Sequence, residues 1–168
     1  FNALRETGHA RVCHTDEIWI RNGVRVNAMK KHRKQGGRIF MRCLALCCIS
    51  PSSAIIHRTV FEQIGVFDEA LPACEDYDFW LRLTAREAVL YVPKMLIHKY
   101  GGHSDQLSRK YWGMDRFRIS AIEKVLAENI LSDEYRVAAL EMLKTKSKIM
   151  ADGAEKRQKS EEYQFYAE

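Results

Sequence analysis

The chain has 168 residues, enough for one ordinary domain or a large part of a bigger one. Hydrophobic residues make up 46% and charged residues 29%, a balance that excludes a disordered chain. The net charge of +5 fits either a soluble basic surface or an anionic partner such as a diphosphate, a lipid headgroup or nucleic acid.

In chain order, Phe1 to Gly8 reads as the last turns of a helix closed by a Gly C-cap. It opens without an initiating Met, so upstream sequence is expected and the chain is read as a fragment. Arg11 to Ile20 is rich in β-formers and leads to Asn22-Gly23, a strong hairpin signal, with Val24 to Val26 returning. Lys30 to Gly37 is a basic loop, and Ile39 to Cys48 reads as a short apolar helix. Ser50-Pro51-Ser52-Ser53 breaks it, and Ala54 to His57 is a short strand. Thr59 with Glu62 reads as a capping box for a helix over Val60 to Ile64, stopped by Gly65. A loop through Phe67-Asp68-Glu69 feeds a helix from about Glu75 to Ala85. Its first-turn carboxylates are favoured by the helix dipole whether or not they have a function.

Ala88 to Val92 and Met95 to Tyr100 read as two strands separated by Pro93, before a loop that opens at Gly101-Gly102. From Trp112 the pattern is helical, and Ser132-Asp133 caps a second helix. Ala151 to Glu168 reads as a solvated helix or frayed tail. Strands interleaved with short helices give an α/β fold with a helical appendage.

The five cysteines, Cys13, Cys43, Cys47, Cys48 and Cys74, lack a paired framework and read as buried thiols. Cys43 and Cys47, spaced four apart, would share a helix face and pack there. No apolar run reaches the roughly 18 residues a membrane span needs. A signal-peptide pattern is also absent, so the expected location is cytoplasmic.

Four pieces then stand in a telling order. They are Ser50-Pro51-Ser52-Ser53; Val60 to Glu69, with Gly65 and Phe67-Asp68-Glu69; Cys74-Glu75-Asp76-Tyr77-Asp78-Phe79-Trp80-Leu81-Arg82-Leu83; and Lys99-Tyr100-Gly101-Gly102-His103 with Gln106-Leu107-Ser108. Over residues 10–118 this order resembles glycosyltransferase family 2, enzymes of the GT-A fold. The resemblance implies a partial GT-A mixed sheet lacking its N-terminal nucleotide-binding half. Residues 1–118 would be the acceptor-side half of that domain, and 119–168 a helical, charged C-terminal extension.

The activity implied is inverting transfer from a nucleotide-diphosphate sugar to an acceptor hydroxyl, in glycan or cell-surface polysaccharide synthesis. An isolated fragment would be inactive. In such enzymes an acidic pair ahead of the Trp supplies the general base, which falls here on Asp76, with Glu75 orienting it or meeting acceptor hydroxyls. Asp78 lies about 200° around the helix from Asp76 and is expected in a structural salt bridge. Trp80 shares the face of Asp76, where it would stack on an acceptor sugar or fill the core. Ser52 and Ser53 are placed near the acceptor cleft, though turn chemistry explains them as well.

Lys99 and Arg109 are candidate diphosphate neighbours or plain solvated cations. His103 would ligate the divalent metal, Mn²⁺ or Mg²⁺, or touch the diphosphate, with an exposed loop histidine as the alternative reading, and imidazole suits Mn²⁺ better. The metal-holding Asp-x-Asp of the family is not seen, and Asp16-Glu17 is not given that role. Expected partners are the donor and a glycan or lipid-linked acceptor, with peripheral association at the inner face of the membrane and no nucleic acid. The basic run Lys144, Lys146 and Lys148 is the cue for that association. A non-catalytic basic binding or assembly module is the alternative.

Overall fold

The computed structural model describes residues 2–8, 10–27, 29–102 and 110–167. Helix α1 (Asn2–Thr7) is followed by Gly8 at φ +67°, the left-handed conformation of a Gly C-cap. Strand β1 (Val12–Arg21) turns into β2 (Val24–Val26) through Asn22 and Gly23, both at positive φ, 50° and 76°. That is the geometry a tight two-residue hairpin asks of an Asn-Gly pair. The basic loop carries one 3₁₀ turn, Lys30–His32.

Helix α2 (Phe40–Ala45) is shorter than its apolar run, because Leu46 leaves it with extended backbone at φ −159° and ψ 158°. Cys43 and Cys47 therefore do not share a helix face, which corrects the expected packing pair. A 3₁₀ turn (Pro51–Ser53) leads into β3 (Ala54–Ile56). Helix α3 (Arg58–Ile64) is capped by His57, whose ring nitrogen accepts the Thr59 amide N–H at 3.3 Å. Because the helix starts at Arg58, Thr59 is already inside its first turn. The Thr59–Glu62 capping box does not form, and Glu62 pairs with Arg58 at 3.1 Å instead.

Helix α4 (Glu75–Arg86) is followed by β4 (Leu90–Gly101), a single strand rather than two. Thr15 faces Val92, Asp16 faces Met95 and Glu17 faces Ile97, so the register slips around Pro93. A bulge tolerates the missing proline N–H, and the strand continues past it. Helices α5 (Asp115–Ala127), α6 (Asp133–Lys156) and α7 (Ser160–Ala167) complete the chain. The Ser132 hydroxyl caps α6, accepting the Tyr135 N–H at 3.3 Å.

The architecture is α/β with a mixed four-stranded sheet. β1 is its centre, antiparallel to β2 and β3 and parallel to β4. Val12–His14 of β1 pair with β3 and Trp19–Arg21 with β2, while Cys13–Arg21 pair with β4. β2 and β3 thus share one side of β1, and β4 takes the other.

α4 is the middle of the core: every residue from Tyr77 to Ala85 is buried. A helix enclosed on all sides must neutralise its own polar groups. Leu44 of α2, Val60 of α3, Ile122 and Val125 of α5 and Ala139 of α6 belong to the same buried cluster as Phe79 and Leu83. Phe40 stacks on Tyr135 with ring centroids 4.6 Å apart. The division expected at residue 118 falls inside α5, and the core runs across it.

Ala151 and Ala154, expected in a solvated tail, are buried within α6. Lys146 is also buried and bonds Asp115 at 3.1 Å, so it does not join Lys144 and Lys148 in one exposed basic stripe. Among the described residues no helix is long and apolar enough to cross a membrane.

Candidate functional site

The entry to α4 is strained. Cys74, its N-cap, holds φ 65° in the left-handed region and offers no side-chain cap. That conformation costs a non-glycine residue about 1–2 kcal/mol. It brings the half-buried Glu75 and Asp76 into the first turn of α4, at the positive end of the helix dipole.

Both Asp76 oxygens have a donor. Oδ1 accepts the Tyr77 amide N–H at 2.7 Å, and Oδ2 accepts the Cys47 thiol at 3.1 Å. Burial, reinforced by the Asp76 carboxylate, pushes the Cys47 thiol well above its ordinary value, so it keeps the proton it donates. The Tyr77 hydroxyl donates to the Leu44 carbonyl at 2.7 Å, tying α4 to the end of α2 from which Cys47 follows. Glu75 makes no side-chain hydrogen bond among the described residues.

Beyond Cys47 lies a polar cluster from β1, the basic loop, the Ser50 turn and β4. The Glu17 carboxylate, its side chain 3% exposed, accepts from Lys34 Nζ at 2.8 Å, Ser50 Oγ at 3.1 Å and Trp19 Nε1 at 2.7 Å. Burial alone would raise the Glu17 carboxyl; Lys34, Lys99 and Ser50 outweigh it and hold the group below its ordinary value. Lys99 Nζ donates to Ser50 Oγ at 3.0 Å, stands 3.8 Å from Glu17 and lies 5.3 Å from the centre of the Trp19 ring.

Glu17, Trp19, His32, Lys34, Cys47, Cys48, Ser50 and Lys99 line a cleft of about 120 Å³. A larger hollow of about 460 Å³ adjoins it, sharing Trp19 and Lys99 and extending to Tyr100 and Gly102. A cavity of about 620 Å³ beside α6 and α7 contains none of the candidate residues, so the chemistry directs attention to the other two.

The rest of the acidic motif is structural. Asp78 is fully buried and accepts two bonds from Arg82 at 2.8 and 3.0 Å. Arg82 also donates to the carbonyls of Ile64 and Val66, the latter at 2.9 Å. Gly65, at φ 80°, lies between those two carbonyls. Lys124 of α5 bridges Asp78 at 3.0 Å and Asp68 at 2.6 Å. Gly65, Asp68, Asp78 and Arg82 form one network that clamps the loop after α3 onto α4. This is why their order and spacing occur together.

The other expected site residues separate. Trp80 is 1% exposed, meets Phe79 edge-on and fills the core, so its ring faces no acceptor. Ser53 is buried, donating to the Ser50 carbonyl at 2.9 Å and accepting from Lys34 at 2.9 Å, whereas Ser52 is exposed. Lys99 lies at the cleft. His103 and Arg109 lie outside the described residues. Among the described residues no three His, Cys, Asp or Glu side chains converge as a metal-binding group.

Sequence reasoning missed Glu17, Lys34 and Cys47. In the sequence Glu17 reads only as half of an acidic pair in a strand. Its partner Lys34 comes from a loop that reads as merely basic.

Residues 38–137 match the model of the family described as "Glycosyltransferase like family 2", and the chain belongs to that family. It is similar to an uncharacterized glycosyltransferase of Rickettsia bellii, 38% identical over 58 residues, which are 34% of this chain and 8% of that protein. A counterpart in Rickettsia felis is also 38% identical over 58 residues, covering 34% of this chain and 10% of its own length. The match therefore spans no more than a tenth of these curated relatives. No solved structure matches.

Proposed function

We propose that this chain supplies the acceptor-side part of a glycosyl-transfer site of GT-A type, with Asp76 as general base. The observation that carries the reading is the Asp76 carboxylate, fixed by Cys47 at the head of α4 and one residue removed from the Glu17–Lys99 cleft. An acceptor hydroxyl is a poor nucleophile until a carboxylate takes its proton. Asp76 takes that proton as the hydroxyl oxygen bonds to the anomeric carbon of a nucleotide-diphosphate sugar. The bond to the diphosphate breaks on the opposite side, so a single displacement inverts the centre.

Lys99, half-exposed at the cleft and anchored on Ser50, faces the leaving negative charge. Glu75, free of other hydrogen bonds among the described residues, meets acceptor hydroxyls. Donor binding and the divalent cation belong, on this reading, to sequence beyond this chain, and the product is a glycan or cell-surface polysaccharide.

The test is transfer from UDP- and GDP-sugars by the full-length parent, compared with its Asp76→Asn variant. A general base is worth roughly 10²–10⁴-fold, so the variant should lose about that much in kcat. If the parent binds and turns over no nucleotide sugar, or Asp76→Asn matches wild type, the reading gives way to a non-catalytic binding module.

A further inference from the structure

Cys47, which holds Asp76, lies between two further thiols in the sequence. Cys43, in the last turn of α2, and Cys48 bring their sulfurs to 3.1 Å of each other, and the two residues are 1% and 7% exposed. Five residues apart on a continuous helix they would be about 140° apart around the axis and could not meet. The extended backbone at Leu46 makes the contact, folding Cys48 back onto Cys43. A disulfide needs a sulfur separation of about 2.05 Å, so the pair has about 1 Å left to close.

The two thiols are unequal. Their mutual hydrogen bond, helped by Arg42 and Lys34, holds Cys48 below its ordinary value against the effect of burial. The same bond and burial push Cys43 up. Either sulfur can donate to the other, and Cys48 takes the attacking role because it, and not Cys43, lines the cleft. That cleft, about 120 Å³, opens past Ser50 and Lys99, which gives a small molecule a way in. Cys47, between them in sequence, turns its thiol to Asp76 instead.

We propose that Cys43 and Cys48 form an oxidisable dithiol, a modification site for small hydroperoxides, which closes to a disulfide next to the Asp76 carboxylate. With hydrogen peroxide, the Cys48 sulfur attacks one oxygen, the O–O bond breaks, and water leaves a sulfenic acid. The Cys43 sulfur then bonds to the Cys48 sulfur and displaces the hydroxyl, which departs as water with the Cys43 proton. Two thiols and one peroxide give one disulfide and two waters, and an external dithiol reverses the change. Closure shortens the loop that carries Cys47 and so withdraws its thiol from Asp76. This last consequence rests on Asp76 being the base; the disulfide itself does not.

The folded chain is treated with hydrogen peroxide, its remaining thiols are alkylated, and the peptide from Cys43 to Arg58 is weighed and fragmented. Wild type and Cys47→Ser should lose two hydrogens there, and dithiothreitol should restore them. Cys43→Ser should stop at a sulfenic acid on Cys48 that dimedone traps, and Cys48→Ser should give neither product. Wild type that keeps all five thiols after peroxide, or a disulfide that uses Cys47, overturns the proposal.

In the full-length parent, oxidation should lower transfer several-fold and dithiothreitol should restore it. A disulfide that forms without changing transfer removes the link to Asp76. A reduced parent that shows no transfer defeats the proposed function, while the mass measurement still decides the dithiol.

Discussion

Cys47 and Asp76 meet thiol to carboxylate at 3.1 Å, a contact between the loop after α2 and the first turn of α4. The two residues are 29 positions apart, and the contact exists because α2 ends early at Ala45. Its use is orientation: with Oδ1 held by the Tyr77 amide, the thiol on Oδ2 leaves the carboxylate one rotamer.

Removing that donor should loosen the base without removing it. On the proposed function, Cys47→Ala is expected to lower the kcat of transfer by up to about 10-fold, the size of one hydrogen bond of about 1 kcal/mol or a little more. KM for the donor should stay within error. Cys47→Ser, which keeps a donor, should recover most of the loss. Steady-state kinetics of the three proteins decide it, and equal rates would show that the thiol orients nothing.

Asp78 and Arg82 are a stability pair. Asp78→Ala strands the Arg82 guanidinium in the core and also removes one anchor of Lys124. Breaking a buried pair from one side typically costs about 3–5 kcal/mol, a large part of the 5–15 kcal/mol that holds a domain together. Arg82→Lys should cost nearly as much, because an ammonium cannot span Asp78 and the carbonyls of Ile64 and Val66 at once. Urea denaturation measures both, and a loss under about 1 kcal/mol for Asp78→Ala would contradict the clamp.

Acid should unfold the chain in two stages. Burial holds His14 below its ordinary value, so the unfolded state binds the proton first and stability falls as pH drops below about 6.5. Glu17 and Asp115 are also depressed, burial being outweighed by Lys34 and Lys99 for one and by Arg118 and Lys146 for the other. Their contributions are present above about pH 4.5 and disappear as pH falls through the lower folded values. Denaturation midpoints from pH 8 to 3 should show both declines. His14→Gln should shrink the first decline, of which His32, also held low by burial, keeps a part, and leave the second.

Gly36 marks a close backbone approach. A Cβ there would stand 2.8 Å from the Val89 carbonyl oxygen and 2.9 Å from the Tyr91 amide nitrogen, neither of which is a side chain that can swing away. The neighbouring residue Gly37 exchanges two backbone bonds with Val89, at 2.8 and 3.0 Å, so the seam is pinned. Gly36→Ala should cost about 1–3 kcal/mol, the usual range for forced overpacking. A thermal melt reads it, and an unchanged midpoint would mean the loop moves freely.

The sequence made some of this visible and hid the rest for physical reasons. Asn22-Gly23, Gly65 and the start of α4 were legible because turn and helix-end chemistry is local. The angular step from Asp76 to Asp78 likewise pointed to a structural salt bridge, whose partner, Arg82, only the fold names. Pro93 misled because a bulge can absorb a missing N–H, which only the partner strand reveals. Thr59 misled because His57 capped the helix first. The Glu17–Lys34 pair and the Cys47–Asp76 contact lie 17 and 29 residues apart and depend on how β1, α2 and α4 pack. Trp80 shared a helical face with Asp76 as expected, but α4 is enclosed on all sides, so that face carried no news of exposure.

β4 pairs with β1 alone among the strands described, and its side chains from Pro93 to Leu96 are exposed. Past the Gly37–Val89 bridge, no other strand among the described residues pairs with its far side, the kind of edge on which a second chain can add a strand. The slip at Pro93 and Lys94 interrupts that edge in the middle and puts a ring without an N–H and a positive charge where an intruding strand would need regular pairing. The irregularity that splits the strand in the sequence is thus also a guard against self-association. A repaired, proline-free β4 would be the version to watch for aggregation.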